Sequence, residues 1–294
     1  MIEPGGCAAL AAAAGEPLAG TASRIRNWLM VEQPGPWGHD ALLQSALPTE
    51  VGQSLMERQD HLGLRVLLIQ RRDRPAPSPR RCFAAFTGRK ERRLVTFKMS
   101  DARELLHLDL GELVQARWRG FGEPVAGPLF LVCTHGKHDS CCSRYGGPVA
   151  RALVARPDVW ECSHVGGDRF AGNVVCFPDA LYFGRVDASS AQRVAESYER
   201  GDVSLEHYRG RSSFPPAVQA AESALRFALG LARISDVVLE DHARVDGSHR
   251  VTFRVPKGKT HIVEVRESTL DPRPLTCKAE HTHAPRAFVV ERIT

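Results

Sequence analysis

Two short motifs gather most of the side chains that could do chemistry. Cys133-Thr-His-Gly-Lys-His-Asp-Ser-Cys-Cys142 is followed, some twenty residues on, by Cys162-Ser-His164-Val-Gly-Gly-Asp168. Together they carry four of the chain's eight cysteines and three of its twelve histidines, with Asp139 and Asp168 beside them. Thiolate, imidazole and carboxylate on paired loops are the donor set of a borderline-soft transition metal. Gly136, Gly146, Gly147, Gly166 and Gly167 permit the turns that would let two such loops approach one point. The first question posed by the chain is therefore which metal or cluster it holds.

The elements that must position these loops follow from hydrophobic pattern. Leu129–Val132 is an apolar strand leading into the cysteine loop, and a helix is expected over Pro148–Ala155. Strands at Val159–Cys162, Asn173–Phe177 and Leu181–Arg185 and a helix at Ser190–Arg200 complete the unit. The same order is legible upstream. Trp28–Glu32 is a strand, Thr49–Leu62 a helix with Thr49 as N-cap and Gly63 as its stop, and three strands follow at Arg65–Gln70, Cys82–Thr87 and Leu94–Met99. The loop Pro75–Pro79 separates the first two of these, and a helix is expected near Asp101–Leu108. Strand, loop, helix and three strands thus occur twice, which predicts a structural duplication built of α/β units. After Pro215-Pro216 come a helix, Ala217–Ala232, and strands near Val237–Glu240, Arg250–Val255, His261–Arg266 and Ala287–Arg292.

These patterns divide the chain into a lead-in (1–24), a first α/β unit (25–120), a second that carries the two motifs (125–212) and a small α+β segment (213–294). The length of 294 residues, 43% hydrophobic and 25% charged, suits such a multi-unit globular protein. No run approaches the roughly 18 apolar residues of a membrane span. The acidic, alanine-rich start does not read as a secretory signal, so a cytoplasmic location is expected. In a reducing compartment, eight unevenly spread cysteines, two of them adjacent, point to metal or redox work rather than to a disulfide framework. The net charge of +5 is local. Between Arg71 and Lys98 ten Lys/Arg stand against Asp73 and Glu91. That run reads first as a solvated hairpin, and second as a docking surface for an acidic redox partner. With Phe83, Phe86 and Phe97 as its aromatics and no recognition motif, it argues against nucleic acid.

The stretches Leu131–Cys142, Trp160–Asn173 and Leu181–Val186, together with Glu32-Gln-Pro-Gly-Pro-Trp-Gly38, resemble the sucrase/ferredoxin-like family, which belongs with the thioredoxin-like 2Fe–2S ferredoxins. The resemblance implies two thioredoxin-like units, the first degenerate, plus the C-terminal α+β segment. It also implies a 2Fe–2S cluster in the second unit, held by Cys133 and Cys142 from one loop and by His164 and Asp168 from the other. Cys141 is the alternate in the first pair. Asp168 stands where the family pattern His-x-x-x-His has its second histidine, so Cys162 is the substitute fourth ligand. The activity implied is electron transfer to an unidentified redox protein, by a carrier rather than an enzyme.

Physical chemistry runs beside the resemblance. Histidine ligation raises a cluster's potential relative to plant-type ferredoxins, and an exposed outer nitrogen makes it depend on pH. His135, His138 and Asp139 serve equally as ligands or as groups that orient the cysteine sulfurs. Cys7, Cys82, Cys176 and Cys277 read as core, with Cys277, His281 and His283 a remote alternative metal set. Trp37 reads as a packing anchor, and Arg169 as a possible neutraliser of Asp168. Two competing functions remain. A thiol–disulfide oxidoreductase is weakened by the absence of Cys-x-x-Cys, and a structural zinc module by ligand spacings unlike those of fingers and ribbons.

Overall fold

The computed structural model describes residues 5–71, 76–115, 117–118 and 121–294. Residues 1–4 of the lead-in and 72–75, within the basic run and the start of the proline loop, lie outside the described residues. Helix α1 (Gly6–Ala13) precedes strand β1 (Asn27–Glu32), whose last five residues are all buried. Helix α2 (Thr49–Leu62) leads to β2 (Leu64–Gln70), β3 (Arg80–Thr87) and β4 (Arg92–Met99). A 3₁₀ turn at Ala102–Leu106, helix α3 (Leu110–Val114) and the two-residue β5 (Glu123–Pro124) close this half. The second half runs β6 (Leu129–Cys133), α4 (Ser140–Ala152), β7 (Val159–Cys162), β8 (Val174–Phe177), β9 (Leu181–Phe183), α5 (Ala191–Glu199) and β10 (Tyr208–Arg211).

Among the described residues these strands form one mixed sheet of ten, ordered β10-β9-β8-β6-β7-β2-β1-β3-β4-β5. Each half repeats the same connectivity. β1 lies parallel to β2 and antiparallel to β3, which pairs antiparallel with β4. β6 lies parallel to β7 and antiparallel to β8, which pairs antiparallel with β9. This is the thioredoxin-like arrangement, written twice in a mixed α/β fold. The halves join where β2 meets β7 antiparallel, with Ile69 opposite Cys162 and Gln70 opposite Glu161.

β1 and β6 read as unbroken apolar runs because both of their faces are covered. Alternate side chains go to different cores. Trp28, Met30, Leu131 and Cys133 share one core that spans both halves. Leu29 and Val31 pack on the other face beneath α2, while Phe130 and Val132 pack beneath α4 and α5. The chain ends with α6 (Pro216–Leu229) and a four-stranded antiparallel sheet of β11 (Val238–Val245), β12 (Ser248–Arg254), β13 (Thr260–Thr269) and β14 (Arg286–Ile293). Val218, Ala221 and Leu225 of α6 pack on Val251, Phe253, Val263 and Val265 of that sheet. The other side of α6 reaches the large sheet: buried Glu222 accepts from Arg211 of β10 at 2.9 Å and from the Tyr208 hydroxyl at 2.9 Å.

The expected strands occur, most with ends within two residues of the pattern, but four expectations change, one of them the helix expected near Asp101–Leu108, which is only a 3₁₀ turn at Ala102–Leu106. Thr49 is the first helical residue of α2 and Pro48 its cap, while Gly63 does end the helix, with φ +62°. The helix after the cysteine loop begins at Ser140, not Pro148, which lies inside it. β10 escaped the hydrophobic pattern because Tyr208-Arg-Gly-Arg211 has no apolar alternation; its arginines are buried by pairing instead.

Candidate metal centre

Cys133 is the last residue of β6, and the chain turns at once, with the Gly136 N–H donating to the Thr134 carbonyl at 2.8 Å. Asp139 then caps α4, its Oδ1 accepting from the Cys141 N–H at 2.8 Å. An aspartate at this position satisfies a free N–H of the first turn and favours a helix start here. Cys141 and Cys142 therefore sit in the first turn of α4 rather than in an extended loop. Gly146 serves close packing, not a turn: a Cβ there would lie 2.0 Å from the Cys133 carbonyl oxygen. Its absence lets α4 press against the end of β6 and brings Cys142 over Cys133.

The second loop leaves β7 at Cys162, and Gly166 and Gly167, with φ of +95° and +82°, carry it into a 3₁₀ turn at Asp168–Phe170. The donor atoms of Cys133, Cys142 and His164 lie within 4.8 Å of one another. His138, His164 and Asp168 form a second group of the same compactness that shares His164. Asp168 Oδ1 is 3.0 Å from His164 Nδ1 and 3.4 Å from the Cys142 sulfur, and that sulfur is 3.8 Å from His164 Nδ1. The four residues Cys133, Cys142, His164 and Asp168 thus form one connected cluster. The His138 ring stacks on His164 at 3.9 Å.

The first half of the chain grips this loop. His135 Nε2 lies 2.7 Å from the Gly38 carbonyl, His138 Nδ1 lies 3.3 Å from that of His39, and Trp37 meets His135 edge-on at 5.8 Å. Trp37 also packs in the core of its own half and donates to the Gln33 carbonyl at 2.8 Å. Beside His164 a cavity of about 410 Å³ is lined by His39, Asp40, His135 and His138 among others.

The electrostatics suit metal ligation. The hydrogen bond from Cys142 lowers the Cys133 thiol well below its usual range despite burial, and His164 adds to the effect. Cys142, as the donor to a thiolate in a buried site, is raised. Burial opposes charge on His164, but Asp168 and the Cys133 thiolate outweigh it and bring the imidazole to about 9. Burial raises the Asp168 carboxyl, and His164 more than reverses this to hold it below its ordinary value. One sulfur, the carboxylate and the imidazole are thus each biased toward their charged forms by one another. Metal binding there would release the His164 and Cys142 protons.

The remaining sequence candidates go elsewhere. Cys162 stands opposite Cys133 in the parallel β6–β7 register and is fully buried, but its sulfur does not join the converging donors. The Cys141 sulfur faces away from Cys133, toward Cys7 and Cys277. Arg169 leaves Asp168 alone and pairs with Glu16 at 2.7 Å. His281 and His283 are exposed and outside every group of converging donors among the described residues. Cys7 and Cys277, expected as plain core, meet at Cys141, 134 and 136 positions away in sequence. No local signal could have shown that convergence.

Parts of the chain are similar to known proteins. The altered inheritance of mitochondria protein 32 of Saccharomyces kudriavzevii is 33% identical over 96 residues, covering 27% of this chain and 31% of that protein. Its counterpart in Saccharomyces cerevisiae is 32% identical over 96 residues with the same coverage. The match thus spans about a third of the length of these curated relatives. The thioredoxin-like 2Fe–2S ferredoxin of Aquifex aeolicus superposes on 31% of this chain and 97% of its own, with 16% identity and a TM-score of 0.27. The sucrase/ferredoxin-like family model matches residues 18–210, which include both halves of the large sheet and the whole Cys/His/Asp cluster. The chain belongs to the sucrase/ferredoxin-like family.

Proposed function

We propose that this protein is a one-electron carrier that holds a 2Fe–2S cluster through Cys133, Cys142, His164 and Asp168. The observation that supports it is the convergence of the Cys133 and Cys142 sulfurs and a His164 nitrogen within 4.8 Å, on two loops with Asp168 beside them. Bound there, such a cluster would take up and return a single electron. The protein's part is to hold and orient. β6 and the capped start of α4 fix the two sulfurs, and the strap Gln33–Gly38 and the stacked His138 hold the loop against His164. The ring of His164, facing the cavity, is the partly exposed ligand and marks where an electron would enter or leave.

A thiol–disulfide oxidoreductase fits less well. Its attacking thiolate must be accessible, and Cys133 and Cys142 are each only 1% exposed. For the partner we propose an acidic redox protein guided by Arg89, Lys90, Arg92 and Arg93, exposed around the β3–β4 turn. Of these, Arg92 also pairs with Asp179 of the β8–β9 turn at 2.9 Å and Arg93 with Glu91 at 2.6 Å. The cluster assignment is tested by anaerobic purification and metal analysis. Iron and labile sulfide in equal amounts, both lost in Cys133→Ser and Cys142→Ser, are expected. Iron-free protein would rule the assignment out.

A further inference from the structure

Three cysteines that the cluster does not use meet on its far side. Cys7 comes from α1, Cys141 from the first turn of α4, and Cys277 from the connection between β13 and β14. Their sulfurs are 3.3 Å apart for Cys141–Cys277 and 3.7 Å for both Cys7–Cys141 and Cys7–Cys277. Asp139 completes the group, all four donor atoms lying within 4.8 Å of one another. A disulfide would need sulfurs about 2.05 Å apart. Zinc at about 2.3 Å from each thiolate in a tetrahedron sets sulfurs about 3.8 Å apart. The observed triangle is close to the second geometry.

The surroundings are arranged for close approach. A Cβ on Gly6 would lie 2.6 Å from the Cys141 sulfur and 2.8 Å from that of Cys277, so the backbone carries no side chain where the sulfurs gather. Asp139 also accepts from the backbone N–H groups of Cys141 at 2.8 Å and of Cys277 at 2.6 Å, fixing two of the cysteines. Residues 270–285, which deliver Cys277, form no strand or helix. Connections of that length usually have a function or an anchor.

We propose that Cys7, Cys141, Cys277 and Asp139 bind one divalent ion of the zinc class. The site is structural and ties the N-terminal helix and the C-terminal connection to the start of α4. Each thiol yields its proton to solvent as the ion enters from the Cys277 side, where the group is partly exposed.

The test uses the full chain carrying Cys133→Ser and Cys142→Ser, titrated with Co²⁺ under reducing, anaerobic conditions. One equivalent should bind with thiolate-to-metal charge-transfer and tetrahedral ligand-field bands, displaced by Zn²⁺. Adding Cys7→Ser or Cys277→Ser should remove the charge-transfer bands and weaken binding at least tenfold. Should the double variant fail to fold, the wild-type chain serves. Cys7→Ser or Cys277→Ser should then cost one zinc per chain and leave iron and sulfide unchanged. Absence of cobalt or zinc uptake, a Cys141–Cys277 disulfide in protein purified anaerobically without added reductant, or loss of iron in place of zinc would overturn the proposal.

Discussion

Asp168 occupies the position at which the resemblance calls for histidine, and its surroundings give it two possible uses. Its Oδ1 lies near both the Cys142 sulfur and His164 Nδ1. As a ligand it would place one negative charge on the iron that a histidine would not. Asp168→His should therefore keep the cluster and raise the midpoint potential, since neutral imidazole stabilises the oxidised, more positive core less than carboxylate does. Protein-film voltammetry on the two proteins reads this directly, and a lowered or unchanged potential would exclude Asp168 as a ligand. Cys133, Cys142, His164 and Asp168 were legible as one set through the family resemblance, with Cys141 and Cys162 as alternates. The separation of the adjacent cysteines was not: Cys142 faces Cys133 and Cys141 faces Cys7, because successive residues of a helix point about 100° apart. The sequence gives no helix to read that angle from when Pro148 is taken as its start.

At the level of elements, the contact that matters most is α4 on the end of β6. Gly146→Ala would drive a Cβ into the Cys133 carbonyl, a backbone atom that cannot step aside. Overpacking of this kind costs about 1–3 kcal/mol, and here the strain falls between the two cysteines. Urea unfolding should show that loss, and the iron content of the variant should fall with it. Wild-type stability and iron content together would mean that the helix does not need this approach. The strands were readable from apolar runs, most of all in β1 and β6, which are buried on both faces. β10 was not, because its burial rests on arginines with partners: Arg209 donates to Asn173 at 2.7 Å and Arg211 to Glu222 at 2.9 Å. Pairings of that sort depend on tertiary neighbours and leave no periodic trace.

Over the whole molecule, duplication explains the division of labour. The repeated order of strands makes the Gln33–Gly38 loop of the first half the counterpart of the cysteine loop, and it lies against that loop without supplying a ligand. The basic β3–β4 turn belongs to the same half. Reversing it with Arg89→Glu and Lys90→Glu should slow reduction by an acidic ferredoxin roughly tenfold at low salt and flatten the salt dependence, with the midpoint potential unchanged. Rates that ignore the reversal would remove the docking face from the account. The order of elements carried the duplication in sequence, while the β2–β7 seam that joins the halves needed coordinates, since its ladder is short: Ile69 and Gln70 opposite Cys162 and Glu161, with Ser163 bonded to Leu68 beside them.

Electron paramagnetic resonance on the reduced protein, grown with ¹⁵N-histidine, tests mixed sulfur and nitrogen ligation most directly. The account predicts a 2Fe–2S signal with nitrogen hyperfine coupling in the wild type, and the same signal without that coupling in His164→Cys. A signal whose nitrogen coupling survives His164→Cys, or no signal at all from protein that is folded and anaerobic, would contradict it.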